Sequence, residues 1–153
     1  RVNHRRVLLF CGNGDGLISF GKGKAEDYEM AFDQAFKKLR QNMVCISVDK
    51  TLSVPTILQG RHNDFRLKIY PQKTPNFWGN PHIWKMLLHS GLVNCRFVCK
   101  SRKRDPYSMV YAFFTAVTQN KSLDELARMR GTKLHQLGFG NPTSNSGNYF
   151  SQL

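Results

Sequence analysis

Acidic residues are scarce in this sequence: its 153 residues include 10 Asp and Glu against 23 Lys and Arg, a formal charge of +13. Long apolar runs are also missing, since none approaches the roughly 20 residues that span a bilayer, which excludes a membrane-spanning protein. An anionic membrane surface would need a basic amphipathic helix, and the longest amphipathic helix, residues 25–41, is acidic at one end, so we predict no membrane partner. The hydrophobic fraction of 41% is still enough to build a core. A chain this basic repels itself until a polyanion neutralises it, and nucleic acid is the first candidate.

Groupings typical of metal or catalytic sites are lacking as well. The four cysteines (Cys11, Cys45, Cys95 and Cys99) include no Cys-x-x-Cys pair and have no histidine at zinc-finger spacing. All four lie in apolar stretches, which predicts buried free thiols and no metal site. The five histidines are scattered, and none joins a carboxylate and a Ser or Cys in a recognisable catalytic order. We therefore predict no catalytic residues, no cofactor and no enzymatic activity.

The pattern of elements predicts two small α+β domains. Residues 1–52 read as β–β–α, with a hairpin around Gly12–Gly16 and an amphipathic helix from Ala25 to Met43. In that helix Tyr28, Phe32 and Phe36 fall at core spacing. Residues 53–120 read as β–β–α–β–α, residues 121–137 as short helices, and residues 138–153 as an extended tail.

The positive charge is concentrated in the second predicted domain, where residues 53–120 hold 10 Lys and Arg against two Asp and Glu, a net of +8. Lysines and arginines that meet phosphates release counterions, and several together give tight, salt-sensitive binding to nucleic acid. The alternative is a solvated basic face. We predict an RNA-binding set on loops and on the polar face of one strand: Arg61, His62, Arg66, Lys68, Lys73, Lys100, Arg102, Lys103 and Arg104.

A glycine-rich segment near the first helix suggests a second contact with RNA. Gly16 to Gly23 nearly matches the phosphate loop GxxxxGK[ST], but glycine replaces the final hydroxyl residue that Mg²⁺ requires, which argues against an ATP site. We instead predict that Gly21 and Gly23 allow close backbone approach of a phosphate, with Lys22 and Lys24 at the helix N-terminus. The solvated-turn alternative stays open. Arg5 and Arg6 are added to the RNA-binding set.

Two aromatic residues at a predicted loop-to-helix junction, Phe77 and Trp78, are candidates for stacking on unpaired bases. Each could equally belong to the core, which is the reading we favour for the nearby Trp84. The loop that carries them runs from Pro71 to Pro81.

The segment Gly12–Met43 resembles the signature of the small-ribosomal-subunit protein five family, in which a glycine-rich hairpin leads through a GxGKA motif into a helix. Here the motif is Gly21–Ala25. The likeness covers roughly residues 5–137 and continues through Pro55-Thr56, Gly60-Arg61, Arg66–Ile69, Gly91-Leu92-Val93, Lys100-Ser101, Asp105-Pro106, the Ala112–Ala116 helix and Arg130–Lys133.

The resemblance implies a double-stranded-RNA-binding-like domain followed by the family's second domain, and a structural place in the small ribosomal subunit. The implied partners are small-subunit rRNA, the neighbouring small-subunit proteins four and eight, and nearby mRNA, close to where mRNA enters and is decoded; no homo-oligomer is implied. The family's first strand and Gly-Gly-Arg loop, expected before residue 5, are missing from this sequence. Bacterial members are glycine-rich where this chain has residues 76–82, which favours a mitochondrial ribosome over a cytoplasmic or plastid one.

Two other functions fit parts of the sequence. A free RNA-binding protein or ribosome assembly factor would also be basic, and sedimentation with or without the small subunit separates the two. A small phosphotransferase with a kinase-like second domain fits the glycine-rich segment, but the missing hydroxyl and the lack of a catalytic carboxylate argue against it.

Overall fold

The structure is a computed structural model that describes residues 3–103 and 105–133. The chain divides into two compact units, one ending at Asn120 and one beginning at Lys121. Arg104 of the predicted RNA-binding set and the predicted tail, residues 138–153, lie outside the described residues. The described fold is α+β, which confirms the predicted class.

The first half of the larger unit is a three-stranded antiparallel sheet, sheet A, covered on one face by a helix. Its elements are β1 (Arg5–Gly12), β2 (Leu17–Ala25), α1 (Tyr28–Gln41) and β3 (Met43–Cys45), and the strand order is β1-β2-β3. The Asn13 side chain accepts hydrogen bonds from the backbone N–H of Asp15 and of Leu17, at 2.8 and 3.1 Å. These bonds close the hairpin that the glycine-rich turn predicts.

Helix α1 lies unusually close to strand β2, and glycine makes this possible. A Cβ at Gly21 would overlap the carbonyl oxygen of Ala35, and one at Gly23 would overlap that of Ala31. The buried face of the helix is correspondingly small, being formed by Ala31, Ala35 and Leu39. The prediction that these two glycines admit a phosphate is therefore wrong, because the helix backbone already fills the space.

The second half of the larger unit is another three-stranded antiparallel sheet, sheet B, in the order β4-β5-β6. Its elements are β4 (Leu58–His62), β5 (Phe65–Pro71), α2 (Pro81–Ser90), β6 (Cys95–Lys100) and α3 (Pro106–Val117). This is the predicted β–β–α–β–α order. Gly60 lets α3 pack directly on β4, since a Cβ there would overlap the carbonyl oxygen of Ala112.

One hydrophobic core contains side chains from both sheets. Phe113 of α3 is fully buried, and Phe10 of β1 meets its ring edge-on at 5.8 Å between centroids. Ile18 and Ile46 belong to the same cluster as Leu67 and Ile69 of sheet B. The predicted boundary at residue 52 falls between β3 and β4, and the division into domains stays a prediction.

The helix ends follow the sequence closely in the second half of the chain. The side chain of Asn80 caps α2 by accepting from the N–H of His82 at 2.9 Å, and α2 ends at Gly91 in the left-handed conformation. The side chain of Asp105, which precedes Pro106 at the first position of α3, caps that helix by accepting from the N–H groups of Tyr107 and Ser108. In the smaller unit, Ser122 caps α4 (Leu123–Met129), accepting from the N–H of Glu125 at 3.3 Å.

Several local predictions are wrong. Helix α1 starts at Tyr28 rather than Ala25, because β2 continues through Ala25. The side chains of Tyr28, Phe32 and Phe36 are exposed instead of buried. Their exposure was not predicted, because helical spacing identifies the apolar side of a helix but not which part of that side the sheet covers.

The cysteines are only partly buried. Cys11 and Cys45 are exposed, Cys99 is intermediate and Cys95 is buried, so burial was wrongly predicted for the first two. Within residues 3–103 and 105–133, no group of three or more His, Cys, Asp and Glu residues could hold a metal ion. In the same part of the chain, no helix is long and apolar enough to cross a membrane.

Candidate nucleic-acid interface

The outer face of sheet B is a basic surface. Along β5, Phe65, Leu67 and Ile69 are buried while Arg66 and Lys68 are exposed, as the alternating sequence predicts. The same alternation holds on β4 and β6. We call the resulting set of exposed cations the basic face, which consists of Arg61, Arg66, Lys68, Arg96 and Lys100.

Three of these cations form a row across the sheet. Arg66 of β5 is the register partner of Arg61 on β4 and of Lys100 on β6. Directly opposed residues on one face have Cβ atoms about 4.5–5.5 Å apart, and like charges so placed repel each other. Such a row is unfavourable in the free protein and becomes favourable when phosphates lie against it.

Arg96 belongs to the basic face but is absent from the predicted set. It is exposed on β6 opposite Tyr70, between the inward-facing Cys95 and Phe97. The signal was present in the sequence, because residues 95–100 alternate in the same way as residues 65–70. Applying the two-residue period to both strands would have placed Arg96 on the same face of β6 as Lys100.

The loop between β6 and α3 extends the basic face beyond the sheet. Arg102 and Lys103 are exposed there, and the backbone N–H of Arg102 donates to a carboxylate oxygen of Asp64 at 2.8 Å. Asp64 thus ties the loop to the β4–β5 turn. An open depression of about 410 Å³ lies at this corner, lined in part by Arg102, Lys103 and Asp105.

Arg61 and His62 lie on a strand rather than in the predicted loop. Strand β4 runs through His62, and the turn that joins it to β5 is only Asn63 and Asp64. The Nδ1 atom of His62 is buried without a hydrogen-bond partner. The polar composition of residues 59–64 suggested a longer loop. The pairing of β4 with β5 in fact continues to His62, the last residue before the turn.

Lys22 and Lys24 are not at a helix N-terminus, which corrects the prediction for both residues. They lie on β2, where Lys22 pairs with Leu8 and Lys24 with Arg6. The helix that follows begins with Asp27 as its N-cap and Glu29 in its first turn. Carboxylates are stabilised at the N-terminus of a helix, and here they repel phosphate. The charges of these residues therefore disfavour an anion site at this end of α1.

Tyr111 of α3 links Lys22 to sheet B. The Nζ of Lys22 donates to the Tyr111 hydroxyl at 2.8 Å, and this hydrogen bond raises the pKa of Lys22 above its ordinary value. The ring of His62 stacks on the ring of Tyr111 with centroids 4.7 Å apart. Tyr111 was missed by sequence reasoning, because it lies at the edge of a helix whose other apolar positions face the core.

The aromatic loop before α2 is on the other side of sheet B from the basic face. Trp78 is 87% exposed, and Phe77 is 58% exposed with its ring edge-on to Trp84 at 5.7 Å. The following Gly79 lies against the ring of Phe97, an inward-facing residue. Phe77 and Trp78 are therefore available to a partner but do not join the row centred on Arg66.

The remaining predicted residues are dispersed. Arg5 and Arg6 are exposed on β1, where Arg5 pairs with Ala25 and only Arg6 shares a face with Lys24. Lys73 is exposed in the segment after β5. The structure thus gathers part of the predicted set on the outer face of sheet B and a second part, Arg6, Lys22 and Lys24, on one face of sheet A, and leaves Arg5 and Lys73 outside both.

Together the α+β fold and the basic face define a polyanion-binding protein of the kind found in ribonucleoprotein particles. Comparison with known proteins narrows this class. The profile of the N-terminal domain of ribosomal protein S5 matches residues 1–47. Three bacterial proteins called small ribosomal subunit protein uS5 match most of the chain.

The protein from Acidovorax sp. (strain JS42) is 30% identical over 136 residues, which cover 86% of this chain and 75% of the relative. The one from Paracidovorax citrulli is 28% identical, covering 86% and 76%. The one from Alteromonas mediterranea is 27% identical over 139 residues, covering 90% and 82%. The chain belongs to the uS5 family of small-subunit ribosomal proteins, as its resemblance predicts. This is a family of structural proteins, which agrees with the prediction that the chain is not an enzyme.

Proposed function

We propose that the chain is a structural constituent of the small ribosomal subunit that binds rRNA chiefly through the basic face of sheet B. The observation that carries this proposal is the row of Arg61, Arg66 and Lys100 on three adjacent strands. Its mutual repulsion is relieved by a phosphate backbone, which presents negative charges at regular intervals. Phosphate contacts of this kind position the protein without reading sequence.

Lys22 and Lys24 contribute a second rRNA contact from sheet A, next to Arg6. The Tyr111 hydroxyl accepts a hydrogen bond from the Lys22 ammonium group, and the ring of His62 stacks on the ring of Tyr111, so both side chains are held against one residue. The exposed rings of Phe77 and Trp78 supply a separate contact, by stacking on unpaired bases. Arg102, Lys103 and Arg104 form the loop contact, with Arg5 and Lys73 at the periphery.

The family membership supports a finer placement. We propose that the chain lies near the place where mRNA enters and is decoded, with small-subunit proteins four and eight as neighbours and without self-association. We further propose a mitochondrial ribosome, because the identity to the bacterial relatives is only 27 to 30% and residues 76–82 hold a single glycine, Gly79, where the resemblance implies a glycine-rich stretch in bacterial members. Fractionated organelles test this: the chain should sediment with the mitochondrial small subunit, and its recovery with cytosolic or plastid particles would contradict it.

The rRNA contact is tested by the salt dependence of binding to a small-subunit rRNA fragment. The variant with Arg61→Gln, Arg66→Gln and Lys100→Gln should bind more weakly and lose about 2–3 from the slope of log K against log salt, since each phosphate contact contributes about 0.7–0.9. The control carries Lys37→Gln, Lys38→Gln and Arg40→Gln, the same charge change on exposed positions of α1. Equal slopes for the two variants would contradict the proposal.

Sedimentation separates a ribosomal constituent from an assembly factor. A constituent is part of the mature small subunit and should stay with it through a high-salt gradient. An assembly factor is released from mature particles and appears only with their precursors.

A further inference from the structure

Helix α1 presents a ridge of three aromatic rings to the outside. Tyr28, Phe32 and Phe36 follow one another at four-residue spacing and are 56%, 37% and 47% exposed. Adjacent rings are 6.3 Å apart between centroids, and those of Phe32 and Phe36 are nearly parallel, at 10°. We call these three residues the aromatic ridge.

The ridge is exposed because of how α1 packs. Gly21 and Gly23 bring the helix so close to β2 that only small side chains fit beneath it, and Ala31 and Ala35 occupy that space. The larger rings lie next to this contact rather than in it. Contiguous exposed rings on a helix are typical of protein–protein contacts, where aromatic residues are enriched.

The N-terminal end of the ridge lies among acidic residues in an otherwise basic chain, whereas Phe36 at its other end is followed by the exposed Lys37, Lys38 and Arg40. Four of the 10 acidic residues occur between positions 26 and 33, where no Lys or Arg occurs, and all four are exposed: Glu26, Asp27, Glu29 and Asp33. Such a local field repels RNA and anionic lipid and attracts cations. The charge of this surface is therefore opposite to that of the basic face.

We propose that the aromatic ridge and its four carboxylates are a docking surface for a Lys- and Arg-rich segment of another protein. Guanidinium groups stack on the faces of Tyr and Phe rings, and the stems of Lys and Arg cover apolar surface. The carboxylates pair with the charged ends. The aromatic ridge provides the apolar contact area. The four carboxylates between residues 26 and 33 attract a positively charged partner.

This surface is independent of the proposed rRNA contacts. Lys22 and Lys24 project from the opposite face of sheet A, because the alternate residues Gly21 and Gly23 face α1. Protein and RNA can therefore be held at the same time on two sides of one sheet. Loss of either contact leaves the other intact.

Site-specific photo-crosslinking in assembled small subunits tests the proposal. The photoreactive residue p-benzoylphenylalanine replaces Phe32 or, as a matched control, Met30, which is 57% exposed on the same helix. We expect an adduct from position 32 with a Lys- and Arg-rich segment of another protein, identified by mass spectrometry, and at least tenfold less of it from position 30.

Adding Asp33→Lys should lower the yield at position 32 at least tenfold, whereas Asp15→Lys, the same charge change at an exposed turn, should leave it within twofold. An adduct with RNA, with a second copy of the chain or with a segment poor in Lys and Arg would overturn the proposal, and so would no adduct or equal effects of the two substitutions.

A separate measurement distinguishes this proposal from the proposed rRNA contact, which uses other residues. The Phe32→Ser variant should bind the rRNA fragment as tightly as wild type does, so loss of the protein contact can be told apart from loss of rRNA binding.

Discussion

Gly23 shows how a single missing side chain positions a whole helix. Any Cβ at this position would overlap the carbonyl oxygen of Ala31, which is backbone and cannot rotate away. The side chain of the adjacent Lys24 is exposed, on the face of β2 that points away from α1. At the scale of residues, the glycine-rich motif is therefore a packing device.

Gly23→Ala should lower the free energy of unfolding by about 1–3 kcal/mol, the usual cost of overpacking. Lys24→Ala is the matched control and should change it by less than about 0.5 kcal/mol, as exposed substitutions do. Urea unfolding of the two variants measures both values. If Gly23→Ala were as stable as Lys24→Ala, the close approach of α1 to β2 would be wrong.

Cys95 makes stability depend on pH above neutrality. Burial raises the pKa of its thiol from 9.0 to about 11, against weaker opposing hydrogen bonds from Val54 and Ser53. Between pH 9 and 11 the unfolded chain loses this proton while the folded chain keeps it, so stability falls as pH rises. Below pH 9 the contribution is fully present.

The difference in unfolding free energy between wild type and Cys95→Ala should therefore shrink above pH 9, by up to about 1.4 kcal/mol per pH unit. Comparing the two proteins cancels the titration of the other groups. Unfolding in urea at pH 7, 9 and 10 provides the measurement. A difference that stays constant with pH would show that the Cys95 thiol is not buried as described.

At the scale of elements, the cations of the basic face repel one another in the free protein. In the proposed function, rRNA phosphates relieve that repulsion. Arg66 stands between two directly opposed cations. Arg66→Gln should therefore raise the stability of the free protein by a few tenths of a kcal/mol while weakening binding to the rRNA fragment. Lys38→Gln on α1 is the control for charge and should weaken that binding less. A variant that lost stability and kept full affinity would contradict this account.

Helix α3 depends on its cap in a way that pH can reveal. Asp105 accepts from the Ser108 hydroxyl at 2.7 Å, and this bond is the main cause of its lowered pKa. A lowered pKa means that the stabilisation is present above the ordinary value near 3.8 and is lost as pH falls through the folded value.

Asp105→Ala should cost about 0.5–2 kcal/mol at pH 7, as the loss of an N-cap does, and less at pH 3. Asp33→Ala, in the middle of α1, serves as the control and should have a small effect at both pH values. Thermal unfolding at the two pH values measures the change. A cost that is the same at pH 3 as at pH 7 would contradict the charged cap.

The elements were largely predictable from the sequence, and the reasons are local. Alternation along Phe65–Ile69 and the Asp105-Pro106 cap both depend on neighbouring residues, so they could be recognised without the fold. The extension of β2 through Lys22 and Lys24 could not, because polar composition suggested a turn while pairing with β1 and packing under α1 decided the outcome. Long-range contacts also decided the exposure of Phe32 and the role of Tyr111.

At the scale of the whole molecule, the charge of +13 is distributed by the fold into surfaces of opposite character. Sheet B gathers five cations on one face, while residues 26–33, at the start of α1 and just before it, gather four carboxylates near exposed rings. Composition alone predicted the polyanion partner. The separation into the proposed RNA-facing side and the proposed protein-facing side required the topology, since residues 22 and 32 are near in sequence but lie on opposite sides of sheet A.

The most direct test of the central claim is a density map of the purified small ribosomal subunit that contains this chain. The account predicts rRNA phosphates within about 4 Å of the Arg61, Arg66 and Lys100 side chains, the range of a direct ion pair. A map in which the outer face of sheet B meets solvent or another protein, with rRNA elsewhere on the chain, would contradict it.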